Sequence, residues 1–274
     1  MIREITLGQY YQSDSVIHRM DPRVKLIGTV AFVVSLFLSD YFLGYAVAIL
    51  FLALCVKLST VPFKFIVRGM KTVVFLLIIT VVCNLFFTTG TVAVTIWKAT
   101  ITYEGIRMAA MMALRLSLLI LGSSIMTLTT TPNNLTDGME SVMSPLKRIK
   151  VPVHEIAMMM SIALRFIPIL LEETDRIMKA QIARGADFET GGLIKRAKAM
   201  IPLLVPLFIA AFRRANDLAL AMEARCYRGG EHRTKMKPLK YHKRDAIAYV
   251  ILAVYVACVV IVGKFGIPIG QFVW

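Results

Sequence analysis

The chain has 274 residues, 57% of them hydrophobic, with a mean hydropathy of +0.69 and a net charge of +15 from 32 Lys and Arg against 17 Asp and Glu. Soluble domains carry about 45–50% apolar residues. Here the excess is gathered into runs, which excludes an ordinary soluble domain and argues for spanning helices. The basic residues flank those runs as in the positive-inside pattern, with no nucleic-acid-binding motif, so the charge orients a membrane protein and implies no nucleic-acid partner.

Residues 1–23 are polar and charged, and the run beginning at Leu26 is not followed by a small-residue cleavage site, so no cleavable signal is expected. Apolar runs at 26–39 and 41–56, separated by Asp40, predict a short helical hairpin. Each is about 21–24 Å long as helix, short of the roughly 30 Å hydrocarbon core. Further runs occupy 73–87, 108–128 (interrupted by Arg115) and 246–263. HRMDPRVKL at 18–26, the connector carrying Lys57, Lys64, Arg68 and Lys71, the Lys147-Arg148-Lys150 cluster and RGGEHRTKMKPLKYHKR at 228–244 are basic. The Asp40 turn and the 88–107 connector hold far fewer positive charges. The alternation predicts five spans, with the N-terminus cytoplasmic and Trp274 outside.

The stretch between the fourth and fifth runs behaves differently. Residues 153–171 are apolar but contain Arg165 and Pro168, and residues 201–212 form a shorter apolar run with Pro202 and Pro206. Such short runs are more often buried or interfacial than spanning, although a further pair of spans would keep the parity. After each run the pattern becomes amphipathic. Apolar residues recur at Ile167, Leu170, Leu171, Ile177, Met178 and Ile182, and again at Leu207, Phe208, Ala211, Phe212, Ala215, Leu218, Ala219 and Met222. Spacings of three and four place each set on one helix face. They predict two long helices, about 152–184 and 193–227, joined by a turn around Gly191-Gly192.

Both helices end alike, at Ala183-Arg184-Gly185 and at Ala224-Arg225-Cys226 followed by Gly229-Gly230. A cation at a helix C-terminus is favoured by about 0.3–1 kcal/mol, which is the plain structural reading. Alanine keeps each tip narrow, however, and Gly185 can take the left-handed cap that stops the helix. The guanidinium is then projected, with five donors for bidentate pairing with carboxylates. Two such tips point to docking on a soluble partner.

Catalytic signals are missing. No GxxxxGK[ST] phosphate loop, HExxH, GxSxG or paired-carboxylate site occurs. His18, His154, His232 and His242 are scattered, so no metal site is expected. Cys55, Cys83, Cys226 and Cys258 form no CxxC pair and read as small apolar fillers. Arg115, inside an apolar run, reads as structurally paired or snorkelling rather than substrate-binding. Met158-Met159-Met160 reads either as ordinary packing or as an adaptable contact surface.

Nearly the whole chain resembles the transmembrane T component of energy-coupling factor (ECF) transporters. HRMDPRVKL (18–26) is similar to the family's Asp-Pro-Arg-x-Lys entry to its first span. TTTPNNLTDGMESVMSPLKRIKVP (129–152) and MMMSIALRFIPILLEE (158–173) resemble its central segment, and the two Ala-Arg tips resemble its paired motifs. Cys226 departs from the glycine of that pattern, which leaves the second cap's geometry open. The resemblance implies an all-α polytopic membrane protein with about five membrane helices plus long cytoplasmic coupling helices. It implies membrane helices in 1–130, a coupling domain in 131–245 and a last transmembrane helix in 246–274 packing with 1–130.

It further implies a non-catalytic subunit in the cell membrane that holds no cofactor, ATP being bound by two partner ATPase subunits that receive Ala183, Arg184, Gly185, Ala224, Arg225 and Cys226. A membrane substrate-binding S component would meet the apolar halves of the coupling helices, at Met159, Leu164, Leu203 and Leu207, for uptake of vitamins or other micronutrients. A polytopic enzyme acting on lipid-linked phosphates through Arg115 and Arg165 is the alternative. It requires clustered acids or histidines at the membrane surface, which the sequence does not show. A secondary carrier would need internal repeats with broken helices, also not evident.

Overall fold

The computed structural model describes residues 10–39, 42–96, 99–188, 192–230, 236 and 238–265. The expected turn at Asp40, Gly191, His232 and Trp274 lie outside them. The chain forms two compact units, Gly8–Met139 with Leu239–Trp274, and Glu140–Pro238.

The first unit is built from five long helices: α1 (Pro22–Leu38), α2 (Phe42–Ser59), α3 (Phe63–Phe87), α4 (Tyr103–Thr129) and, distant in sequence, α8 (Lys243–Phe265). They match the five apolar runs. At 17 and 18 residues, α1 and α2 are about 25–27 Å long, as the Asp40 interruption predicted. The sequence reading did not anticipate the hairpin between α3 and α4. There β1 (Val92–Ile96) pairs antiparallel with β2 (Ala99–Thr102), with a register shift between Val92 and Val94. Its β-branched residues suit a pleated strand, but two short strands leave little periodic signal.

The entry to α1 does more than carry charge. Asp21 caps the helix, its carboxylate accepting from the Arg23 amide at 2.9 Å, and Pro22 occupies the first turn, where its missing N–H costs nothing. The Asp21 amide donates to the buried Asp245 Oδ1 at 2.9 Å, and Asp245 Oδ2 accepts from the His242 amide at 2.8 Å. One carboxylate therefore holds the starts of α1 and α8 together. Arg23 donates to the Leu239 carbonyl at 3.3 Å and lies over the Tyr241 ring. Lys25 Nζ donates to the carbonyls of His18 (3.2 Å) and Thr129 (2.8 Å), the latter at the end of α4. These ties, with Gly138 packed against Pro22, hold residues 132–139 and 239–245 in this unit.

Its core joins Phe32 and Leu36 of α1, Tyr45 and Leu52 of α2, Leu118 and Ile125 of α4, and Leu252 and Tyr255 of α8. Phe51 stacks on Tyr255 at 4.3 Å, and the Tyr255 hydroxyl meets Ser35 Oγ at 2.6 Å. Gly122 lets α4 approach α1, since a Cβ there would lie 2.6 Å from the Phe32 ring.

After α5 (Pro132–Val142) and a short 3-10 helix (Ser144–Ile149), the second unit is dominated by α6 (Val153–Ala183) and α7 (Leu193–Ala224). At 31 and 32 residues, each is about 46–48 Å long. They pack antiparallel: Arg214 pairs with Glu173 at 3.3 Å, and Gln181 Nε2 reaches the Pro202 carbonyl at 3.5 Å. Pro206 explains the second contact. It has no N–H to give the carbonyl four residues earlier, so the Pro202 oxygen is open to a side chain from α6.

Among the described residues, α4, α6, Ala197–Ala224 of α7 and Lys243–Val262 of α8 are long and apolar enough to cross a membrane. Helix α3, bent by 60° at its break near Lys71, makes a fifth if counted as one span.

Candidate functional site

The ends of α6 and α7 have the same backbone construction. At α6, Arg184 is the C-cap, Gly185 has φ +89°, and the amides of Gly185 and Ala186 donate to the carbonyls of Ile182 (2.9 Å) and Gln181 (3.0 Å). At α7, Arg225 is the C-cap, Cys226 has φ +55°, and the amides of Cys226 and Tyr227 donate to Glu223 (2.8 Å) and Met222 (3.0 Å). Both are Schellman caps, in which a left-handed residue lets two amides satisfy the last orphan carbonyls. The departure at Cys226 therefore leaves the cap geometry intact. It replaces a strain-free glycine with a residue for which the left-handed region is unfavourable.

Ala183, Arg184, Gly185, Ala224, Arg225 and Cys226 are all solvent-exposed. Backbone groups alone build both caps, so the guanidiniums are not used to hold the helix ends. Because the helices run antiparallel, the two arginines sit at opposite ends of the pair.

Beyond the caps the tips differ. Three positions after Arg184 the chain carries Asp187, and three after Arg225 it carries Arg228. The C-terminal end of α7 also forms one wall of a cleft of about 560 Å³ against the N-terminal half of α6. Arg165, Arg225, Arg228 and Tyr227 line it, with Met158 and Met222 among its apolar walls. The sequence reading treated Arg165 and Arg225 separately and saw Arg228 only as part of a basic flank. Antiparallel packing brings the three together.

The expected apolar contact residues divide. Met159 is 59% exposed, and Leu164 and Leu207 are half-buried. Leu203 is only 6% exposed, buried within the helix pair's own unit. It shares a stripe with Leu207, Arg214, Leu218 and Met222, which are half-buried. The open apolar face of α7 carries Leu204, Val205, Phe208, Ile209 and Phe212 instead. A helix segment apolar on every side gives no periodic cue to which face will be covered.

Arg115 is accounted for structurally. Its Nε donates to the Tyr45 hydroxyl at 2.8 Å and one terminal nitrogen donates to the Ser39 carbonyl at 3.3 Å, just past the end of α1. The Phe37 and Tyr45 rings flank it. An intramembrane cation tied to a helix-end carbonyl and a phenol needs no substrate to explain it.

Residues 13–236 match the family described as Cobalt transport protein, CbiQ. Curated relatives called Energy-coupling factor transporter transmembrane protein EcfT align over almost their whole length. That of Thermosediminibacter oceani is 54% identical over 91% of this chain and 94% of its own. That of Ruminiclostridium cellulolyticum is 52% identical over 95% and 98%, and that of Lactococcus lactis 44% over 96% and 99%. The chain belongs to this family. As an EcfT-family protein it is a multi-pass transmembrane component of an ECF transporter and not an enzyme, which removes the lipid-phosphate enzyme reading.

Proposed function

We propose that this EcfT-family chain couples ATP hydrolysis by two soluble ATPase subunits to movement of a membrane-embedded, substrate-binding S component that takes up a vitamin or another micronutrient. The observation that carries this reading is the pair of long antiparallel helices ending, at opposite ends, in identically capped and exposed arginines. Each tip docks in one ATPase, with Arg184 and Arg225 pairing with carboxylates there. The chain itself holds no nucleotide. Its N-terminus lies in the cytoplasm of a bacterial-type cell, with α6 and α7 at the cytoplasmic side of the cell membrane.

Arg214–Glu173 and Gln181–Pro202 tie the two helices to each other, so displacement of the tips moves the pair together. The apolar face of α7, with Phe208 and Phe212, together with Met159, Leu164 and Leu207, is the surface offered to the S component. The test is co-purification with the ATPases, plus substrate uptake in proteoliposomes. Truncating an interface arginine often costs more than about 2 kcal/mol, so the Arg184→Ala/Arg225→Ala double variant loses assembly and transport. Lysine rescues poorly because it lacks the bidentate fork. Wild-type assembly and uptake in the double alanine variant would reject the docking role.

A further inference from the structure

We infer that the first unit holds one anionic phospholipid: an acyl chain fills a cleft walled by α1, α2, α4 and α8, and Arg244 and Lys25 meet the phosphate. This site is separate from the docking tips and stands without them.

The cleft measures about 200 Å³. Its floor is Phe32, Leu52 and Leu252, all buried, and its rim is Leu54, Ile247 and Ile251, all exposed. The two basic lining residues stand at one end, Arg244 in the first turn of α8 and Lys25 in the first turn of α1. Helix α8 is long and apolar enough to cross a membrane. Arg244 then lies at the membrane surface, with Ile251 and Leu252 about 10–12 Å deeper. Lipid hydrocarbon meets the rim directly, and lipid phosphates lie level with Arg244. A volume of about 200 Å³ spread over that length is too narrow for a helix about 10–12 Å across and suits a single hydrocarbon chain.

Gly28 is an independent sign of an occupant. It lies inside α1, where glycine weakens a helix. A Cβ there would meet only Leu252 Cδ2, at 4.0 Å, so packing among the described residues does not call for glycine. A chain lying in the cleft does, because Gly28 is part of the wall.

Lys25 gives two of its three N–H groups to the carbonyls of His18 and Thr129, which leaves one for a phosphate oxygen. Arg244 offers a planar fork to the same group. The nearby carboxylates are committed: Asp14, which faces Arg244, pairs with Arg19, and Asp21 and Asp245 accept backbone amides. Two cations above an apolar slot complement an anionic headgroup above its acyl chain. Each basic side chain near a membrane surface favours anionic lipid by about fivefold.

The experiment uses the full chain in nanodiscs of phosphatidylcholine holding a minor fraction of phosphatidylglycerol. One lipid or the other carries a diazirine on its acyl chain, and cross-linked peptides are mapped by mass spectrometry. The phosphatidylglycerol probe labels residues 25–32 and 247–252 about fivefold or more above the phosphatidylcholine probe. The exposed α3 face at Phe75, which reads bulk lipid, shows no such preference. Arg244→Gln removes about fivefold of the preference. Gly28→Leu puts a side chain into the slot and suppresses labelling there by both probes. Arg244 is exposed, so its replacement leaves the fold intact and decides the headgroup question even where Gly28→Leu lowers Tm.

Equal labelling of the cleft by the two probes, an equal preference at Phe75, or an unchanged preference in Arg244→Gln overturns the inference. So does loss of cleft labelling once the co-purifying subunits are added, because a protein partner then covers the cleft. Labelling that survives Gly28→Leu at wild-type Tm also overturns it, since the acyl chain then lies elsewhere.

Discussion

Replacing Cys226 by glycine tightens the end of α7, and replacing Gly185 by alanine loosens the end of α6. Cys226 sits at φ +55°, where an L side chain costs about 1–2 kcal/mol. Glycine removes that strain but adds chain freedom to the open state worth about 0.5–1 kcal/mol. The net gain is about 0.5–1 kcal/mol. At Gly185, φ is +89° and a Cβ would meet nothing within 4 Å, so packing does not enter. Alanine there loses about as much as Cys226→Gly gains.

Local opening shifts by about two- to fivefold in opposite directions. Hydrogen exchange of the Ala186 and Tyr227 amides, which close the two caps, reads this directly. Movement of both substitutions in the same direction, or a faster-exchanging Tyr227 amide in Cys226→Gly, would refute left-handed strain as the difference between the tips. Because the cap is unchanged, Cys226→Gly keeps ATPase capture at the wild-type level.

Tyr45→Phe removes the acceptor of the 2.8 Å bond from Arg115 and costs about 1–3 kcal/mol, seen as a lower Tm in detergent. Asp245→Ala leaves the buried amide of Asp21 and the part-buried amide of His242 without their shared acceptor, costs about 1–3 kcal/mol, and raises exchange at the starts of α1 and α8 together. Burial lowers the pKa of His18 below the usual imidazole value, against the Tyr11 carbonyl, which raises it. The unfolded chain therefore binds more protons, and stability falls as pH drops below about 6.5. Exchange in residues 10–20 rises there, and His18→Gln flattens that dependence.

How much was legible from the sequence depends on how far each feature reaches along the chain. Helices α1 to α4 and α8 follow from apolar runs, and α6 and α7 from three- and four-residue spacing, because helical hydrogen bonds join near neighbours. The helix ends at Arg184 and Arg225 were legible for the same reason, since cap bonds span five residues or fewer, although the cap at Cys226 was left open. Even Cys226 obeyed that local geometry against its own preference. The β1–β2 hairpin was missed because its strands are too short to declare a period.

Other features depended on residues far apart in sequence. HRMDPRVKL reads as a basic flank, yet Asp21 meets Asp245 across 224 positions. Leu203 and Leu204 are equally apolar neighbours, and only the packing of the folded chain buries the first and exposes the second. Arg165 and Arg228 share a cleft because α6 and α7 run antiparallel. Periodicity along a chain specifies that a helix forms and where it stops. Which side of an all-apolar helix is covered, and which distant charges face one another, is decided by the elements that pack against it.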